Sequence, residues 1–245
     1  MIILAESLRI FRDHGMITFL KDKLENDPQL ILPLSLQIKA WRRANRKGDW
    51  GIQKSEFDQI EASPRLTEND KRNGFIGAIL CYGFGDNGSG YADSIRSGKL
   101  VWEYALKCRK KRAWQCEYID FDKKEQIRLR PGAPPRPKGF YFVKFCPGDK
   151  FQTLNVSQFR KLLQKDTGCG PEGIQFVAIT HTHFPDMMSE RKIPFMALAD
   201  YDVAPYGFND FFDAPQLFSS RGILGLGIGN IDRNYPLFGI PSLRF

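Results

Sequence analysis

His181 and His183, with Asp186 close behind them and Asp200 and Asp202 further along, are the side chains best suited by type and spacing to chemistry. Two of the chain's three histidines stand here, two residues apart. In an extended segment that spacing turns both rings to one side. Imidazole nitrogen and carboxylate oxygen together would suit zinc, iron or manganese, and the predicted metal set is His181, His183, Asp186 and Asp200. The predicted catalytic set is His181, His183, Asp200 and Asp202. Here imidazole moves a proton or holds the metal, while carboxylate orients the ring or supplies a ligand. The competing account is structural: loop histidines bonded to nearby backbone, and aspartates turning the chain ahead of Pro205-Tyr206-Gly207.

Two apolar runs must position these groups. Residues 174–180 follow the breaker Gly170-Pro171-Glu172-Gly173 and are rich in β-branched and aromatic side chains, which predicts a buried strand. Residues 193–199 form a second predicted strand that closes on Asp200. Polar groups at the ends of buried strands gather where open α/β sheets bind ligands.

A second candidate is the glycine-rich stretch Gly83-Phe84-Gly85-Asp86-Asn87-Gly88-Ser89-Gly90, between an apolar segment and a predicted helix over 99–111. Gly85, Gly88 and Gly90 would let backbone N–H groups approach a nucleotide or S-adenosylmethionine-type cofactor. The spacing is neither Gly-x-Gly-x-x-Gly nor a P-loop, and a glycine-rich surface turn explains it as well.

Basic residues cluster in three places. Arg42, Arg43, Arg46 and Lys47 end a predicted helix over 34–45, where cations complement the helix dipole. Lys107, Arg109, Lys110, Lys111 and Arg112 end the 99–111 helix, in excess of what capping needs, with Trp114 directly after them. A cation cluster beside an aromatic is compatible with a polyanion strand whose bases stack. The stretch from Arg130 to Gly139 carries four prolines and predicts a stiff arm that displays Arg128, Arg130, Arg136 and Lys138 outward.

The fold expected is α+β or α/β: a mixed sheet flanked by helices, preceded by a helical section at 1–70, with 71–245 as the main domain or the two as one continuous domain. Strands are predicted near 114–120, 140–145, 174–180, 193–199 and 223–229, and a further helix over 156–165. Alternating glycine and aliphatic residues in 223–229 predict a strand whose glycine face is closely approached. Two short helices are expected within 4–24, and a linker over 55–70.

A length of 245 residues with 42% hydrophobic and 26% charged side chains allows a sizeable core. No apolar run reaches the length of a membrane span, and the charged residues near the start interrupt any signal-peptide core. Five scattered cysteines without a Cys-x-x-Cys pair argue against a zinc ribbon or disulfide framework, so a reduced, cytoplasmic chain is expected. The formal charge of +8 favours anionic partners. Together these features predict an enzyme acting on a phosphate-bearing or other anionic substrate, with metal-dependent hydrolysis as one form. A non-enzymatic nucleic-acid-binding or assembly protein is the alternative, and a nucleotide-binding domain centred on the glycine loop a third.

Overall fold

The computed structural model describes residues 31–163, 166–180, 195–206, 210–220 and 222–245. The first described helix, α1 (Leu34–Gly48), buries Gln37, Trp41 and Ala44, a spacing that lines one helical face. It begins after Pro33 and stops where Asp49 takes a left-handed conformation with φ of 53°. Two five-residue helices follow, α2 (Lys54–Asp58) and α3 (Glu68–Arg72), each opened by a reciprocal capping box.

The anticipated linker over 55–70 therefore contains helical turns, and Phe57 is buried. Asp70 is buried too. It accepts hydrogen bonds from the Thr67 backbone N–H (2.9 Å) and from Lys144 (2.8 Å), and pairs with Arg244 (2.7 Å). The Lys144 hydrogen bond, followed by that of the Thr67 amide, holds the Asp70 carboxyl well below the usual carboxylate range. A carboxyl depressed in the folded state adds stability that is present above its unfolded pKa and is lost as pH falls below about 4. Asp70→Asn is expected to flatten the acid limb of a stability-against-pH curve; acid limbs that superimpose for the two proteins would contradict this.

Strand β1 (Gly77–Gly83) pairs antiparallel along its length with β4 (Gly139–Cys146). With β11 (Ser242–Arg244) and β5 (Thr167–Gly168) they form a four-stranded sheet in the order β1-β4-β11-β5. Among the described residues, no strand lies beside the outer edge of β1. Side chains take the strand's place: Gln37 donates to Ala78 O (3.1 Å) and accepts from Leu80 N (2.6 Å), Gln175 donates to Tyr82 O and accepts from Tyr82 N (2.9 Å each), and Trp41 Nε1 donates to Leu80 O. An open edge is thereby closed without a further strand.

Helix α4 (Ser94–Arg109) is capped by Asp93, whose side chain accepts from the Arg96 N–H. It packs Val101, Trp102, Tyr104 and Ala105 into the core. Gly98 lets Tyr201 approach: a Cβ there would lie 2.6 Å from the Tyr201 hydroxyl, which donates to Ser94 O at 2.7 Å.

Among the described residues the second sheet has seven strands. Its centre is the hairpin β8 (Asp213–Ser220) and β9 (Ile223–Asn230), paired in register along eight residues. On the far side of β9 lies β2 (Ala113–Gln115), in parallel. The other edge of β8 carries β6 (Phe195–Ala197), with β10 (Phe238–Gly239) beyond it, and β7 (Tyr201–Val203), with β3 (Ile127–Leu129) beyond it. Leu217, Leu224, Leu226 and Met196 face the main core, which they share with α1, α4 and β1. The opposite face is covered at one end by α5 (Val156–Leu162), whose Val156 and Phe159 form a smaller core with Ala197, Ala199 and Ala214.

Helices together with mixed and antiparallel sheets make this an α+β fold. Two predicted strands differ. Residues 174–180 are helical: α6 (Pro171–Gln175) runs on into a π-helical turn, Phe176–Thr180. Pro171 at the first helical position favours a helix start, and because residues 171–179 are all buried, their apolar run carries no periodicity to separate strand from helix. The predicted 114–120 strand ends at Gln115, where the chain turns through an Ile119 N to Cys116 O bond to bury Ile119 and Phe121. The helices expected within 4–24 lie outside the described residues. Among the described residues no helix is long and apolar enough to cross a membrane.

Candidate arginine-lined site

The chain gathers its buried charge where β5, α6 and the β6–β7 turn meet the loop after β3. Glu172 opens α6 and is fully buried, as is Asp200 in the turn between β6 and β7. Between them lies Arg136, only 1% exposed. Its guanidinium binds Glu172 Oε1 (2.8 Å) and Asp200 Oδ2 (2.8 Å), and donates to the carbonyls of Pro134 and Gly168. Burial alone would pull the Arg136 pKa down; Glu172 and Asp200 outweigh it and push it up. Tyr141 donates to Glu172 (3.0 Å), and its phenol is pushed well up by burial and then by the Glu172 charge. Thr167 donates to Asp200 Oδ2 at 2.6 Å.

This geometry corrects the expectation of an outward-facing arm. Arg128 and Lys138 are substantially exposed, but Arg136 is drawn inside because two buried carboxylates need a cation. Gly168 makes room: a Cβ there would stand 2.6 Å from Asp200 Oδ1.

In front of this charged layer is a pocket of about 430 Å³ lined by Arg130, Arg160, Arg244, Asp166, Thr167 and Phe245, with Gly132, Pro134 and Leu163. Each arginine is braced from behind. Arg130 binds Asp200 Oδ1 at 3.1 Å. Arg160, on α5, donates to Ala199 O (2.8 Å) and Tyr201 O (2.9 Å) and lies 2.8 Å from Asp202. Arg244, on β11, binds Asp166 and Asp70 at 2.7 Å each, with Phe75 beneath its guanidinium. Burial lowers the Arg160 pKa; Asp202 opposes that, and the nearby Arg130 cation adds to it.

Of the predicted site residues, Asp200 and Asp202 come together here, both directed at arginines. His181, His183 and Asp186 lie outside the described residues. Among the described residues there is no group of three or more His, Cys, Asp or Glu side chains that could hold a metal. Gly85, Gly88 and Gly90 sit apart from the pocket, in an exposed turn with left-handed φ of 70°, 86° and 86°. Within that turn the Gly88 and Gly90 amides already donate to Asp86, which also binds Lys138. An anion seated there would have to displace a carboxylate.

Arg160, Arg244, Thr167 and Glu172 were not singled out by sequence reasoning. Glu172 alone left a trace, as the one charged residue of the breaker ahead of the 174–180 run. Compared with models of known protein families, with curated proteins and with solved structures, the chain finds no match.

Proposed function

We propose that the protein binds a phosphate-bearing or other anionic ligand in the arginine-lined pocket, and that this is where it acts on its substrate. One observation carries the reading: three arginines from three separate elements face one pocket, and of the carboxylates that brace them only Asp166 lines it. Guanidinium groups held in fixed orientation present forked donors that match phosphate and carboxylate oxygens. Asp200 and Asp202 act in this reading as positioning residues that aim Arg130 and Arg160. The mutual repulsion of those two cations is relieved when an anion enters between them, which favours the bound state.

Titration calorimetry with inorganic phosphate and a phosphate monoester tests this. Arg160→Gln is expected to weaken binding by about ten-fold or more, since hydrogen bonds to charged groups contribute about 1.5–3 kcal/mol. Arg160→Lys, which keeps the charge and loses the fork, is expected to fall between. The Arg160→Gln/Asp202→Asn double variant removes the pair together and controls for loss of folding. Absence of phosphate binding to the parent protein, or equal affinity for parent and Arg160→Gln, would defeat the reading. A hydrolytic form of it draws on His181 and His183. Alanine at both is then expected to abolish monoester turnover and leave phosphate affinity in place, whereas a parent protein without turnover is a binding protein.

A further inference from the structure

The second sheet carries a line of aromatic rings that the pocket does not use. Trp114 on β2 pairs with Gly225, Gly225 with Phe218 on β8, and Phe195 on β6 with Phe238 on β10. The Met196–Leu217 pairing sets Phe195 opposite Phe218. Residues opposite one another across a sheet share a face, so the four rings form one rank running across the strands. Their centroids are spaced 6.1, 6.2 and 5.3 Å apart, and Tyr235 extends the row 6.0 Å beyond Phe238.

No ring in the rank is buried: Trp114 is 49% exposed and the other four are half-buried. None of the five belongs to either hydrophobic core. The main core is met through the opposite face, and on the rank's own face the smaller core under α5 is filled by Ala197 and Ala214 rather than by these rings. Gly225 and Gly227 let the Phe218 ring lie down over β9: a Cβ on Gly225 would come 2.2 Å from that ring. The sequence's glycine alternation is thus explained by side chains of β8 crossing the strand, Phe218 over Gly225 and Gly227 and Gln216 over Gly229.

The Trp114 end is cationic. Lys110 and Arg112 are both exposed in the short turn between α4 and β2, with Lys107 exposed one helical turn earlier. Lys110 has a φ of 50° and ψ of −121°, a backbone state that L residues rarely adopt and that tends to be retained where function requires it. Glu117 is the exposed acid nearest in sequence, and at the Tyr235 end Asp232 and Arg233 offset each other.

We propose that this rank is a stacking platform for single-stranded nucleic acid, with bases on Trp114, Phe218 and Phe195 and the sugar-phosphate chain led to Lys110 and Arg112. Aromatic faces stack any base, and nearby cations hold the phosphates without reading sequence. A neutral glycan would leave the cations without a partner, and a second copy of this chain would bring the same cations to the interface twice.

Fluorescence anisotropy of labelled twelve-nucleotide oligothymidylate and oligouridylate with the full chain tests the proposal. Binding is expected to weaken steeply as salt rises. Trp114→Ala is expected to weaken it about ten-fold or more, and Lys110→Gln/Arg112→Gln to reduce the salt slope. Phosphate affinity at the arginine pocket should be the same in these variants, which keeps the two sites distinguishable. No oligonucleotide binding, or binding indifferent to Trp114→Ala, would overturn the platform. So would binding of a neutral polysaccharide instead, or a concentration-dependent dimer that Trp114→Ala abolishes.

Discussion

Replacing Arg136 by methionine is expected to lower the unfolding free energy by about 3–5 kcal/mol. The side chain is 1% exposed and is shared by two fully buried carboxylates, Glu172 and Asp200. Methionine approximates its length but leaves Glu172, among the described residues, with Tyr141 and the Gly170 amide as its donors. An uncompensated buried charge costs far more than the net contribution of the pair that neutralised it. Urea unfolding measures this as a shift of the midpoint at constant slope. The Arg136→Met/Glu172→Met double variant should recover part of the loss, because it removes the stranded carboxylate together with its partner. A single variant within 1 kcal/mol of the parent would mean that water reaches this layer.

Trp41→Ala is expected to cost about 3–5 kcal/mol, the range for emptying a large buried site. Trp41 is fully buried and its ring lies 5.8–6.4 Å from those of Trp50, Tyr82, Phe84 and Phe140. It also donates from Nε1 to Leu80 O at 2.9 Å on the open edge of β1. Trp41→Phe separates the two contributions. It retains most of the apolar volume and removes the donor, so its expected cost is about 1–3 kcal/mol, that of a buried acceptor left unsatisfied. If the two variants unfold at the same denaturant concentration, the edge hydrogen bond outweighs the packing.

Helix α1 was legible because Leu34, Ile38 and Trp41 recur at helical spacing, and α4 because Val101, Tyr104, Ala105 and Cys108 do so. Strand β4 was legible as an aromatic-rich apolar run after the proline-rich stretch, and β9 from its alternation of glycine with aliphatic residues. Residues 171–179 were not, since an element buried all round offers no polar face against which to measure a period. The 213–220 strand was missed for another reason: Asp213, Pro215, Gln216 and the two serines dilute its apolar content, and its place in the sheet comes from neighbours on both sides. The predicted pairing of Asp200 with the histidines rested on strand ends, and the turn that carries Asp200 directs it at Arg130 and Arg136.

By itself, the sequence settled what is local: the apolar faces of α1 and α4, the alternation of β9, where its glycines are required, and that the chain is basic. Caps, periods and left-handed turns involve residues a few positions apart, so their chemistry can be read along the chain. Tertiary structure alone decided which charge meets which and which rings align. Arg136 reaches Asp200 across 64 residues, and the aromatic rank is assembled from β2, β6, β8 and β10. Sheet register and the burial of a carboxylate set those meetings, and neither leaves a pattern within any one segment.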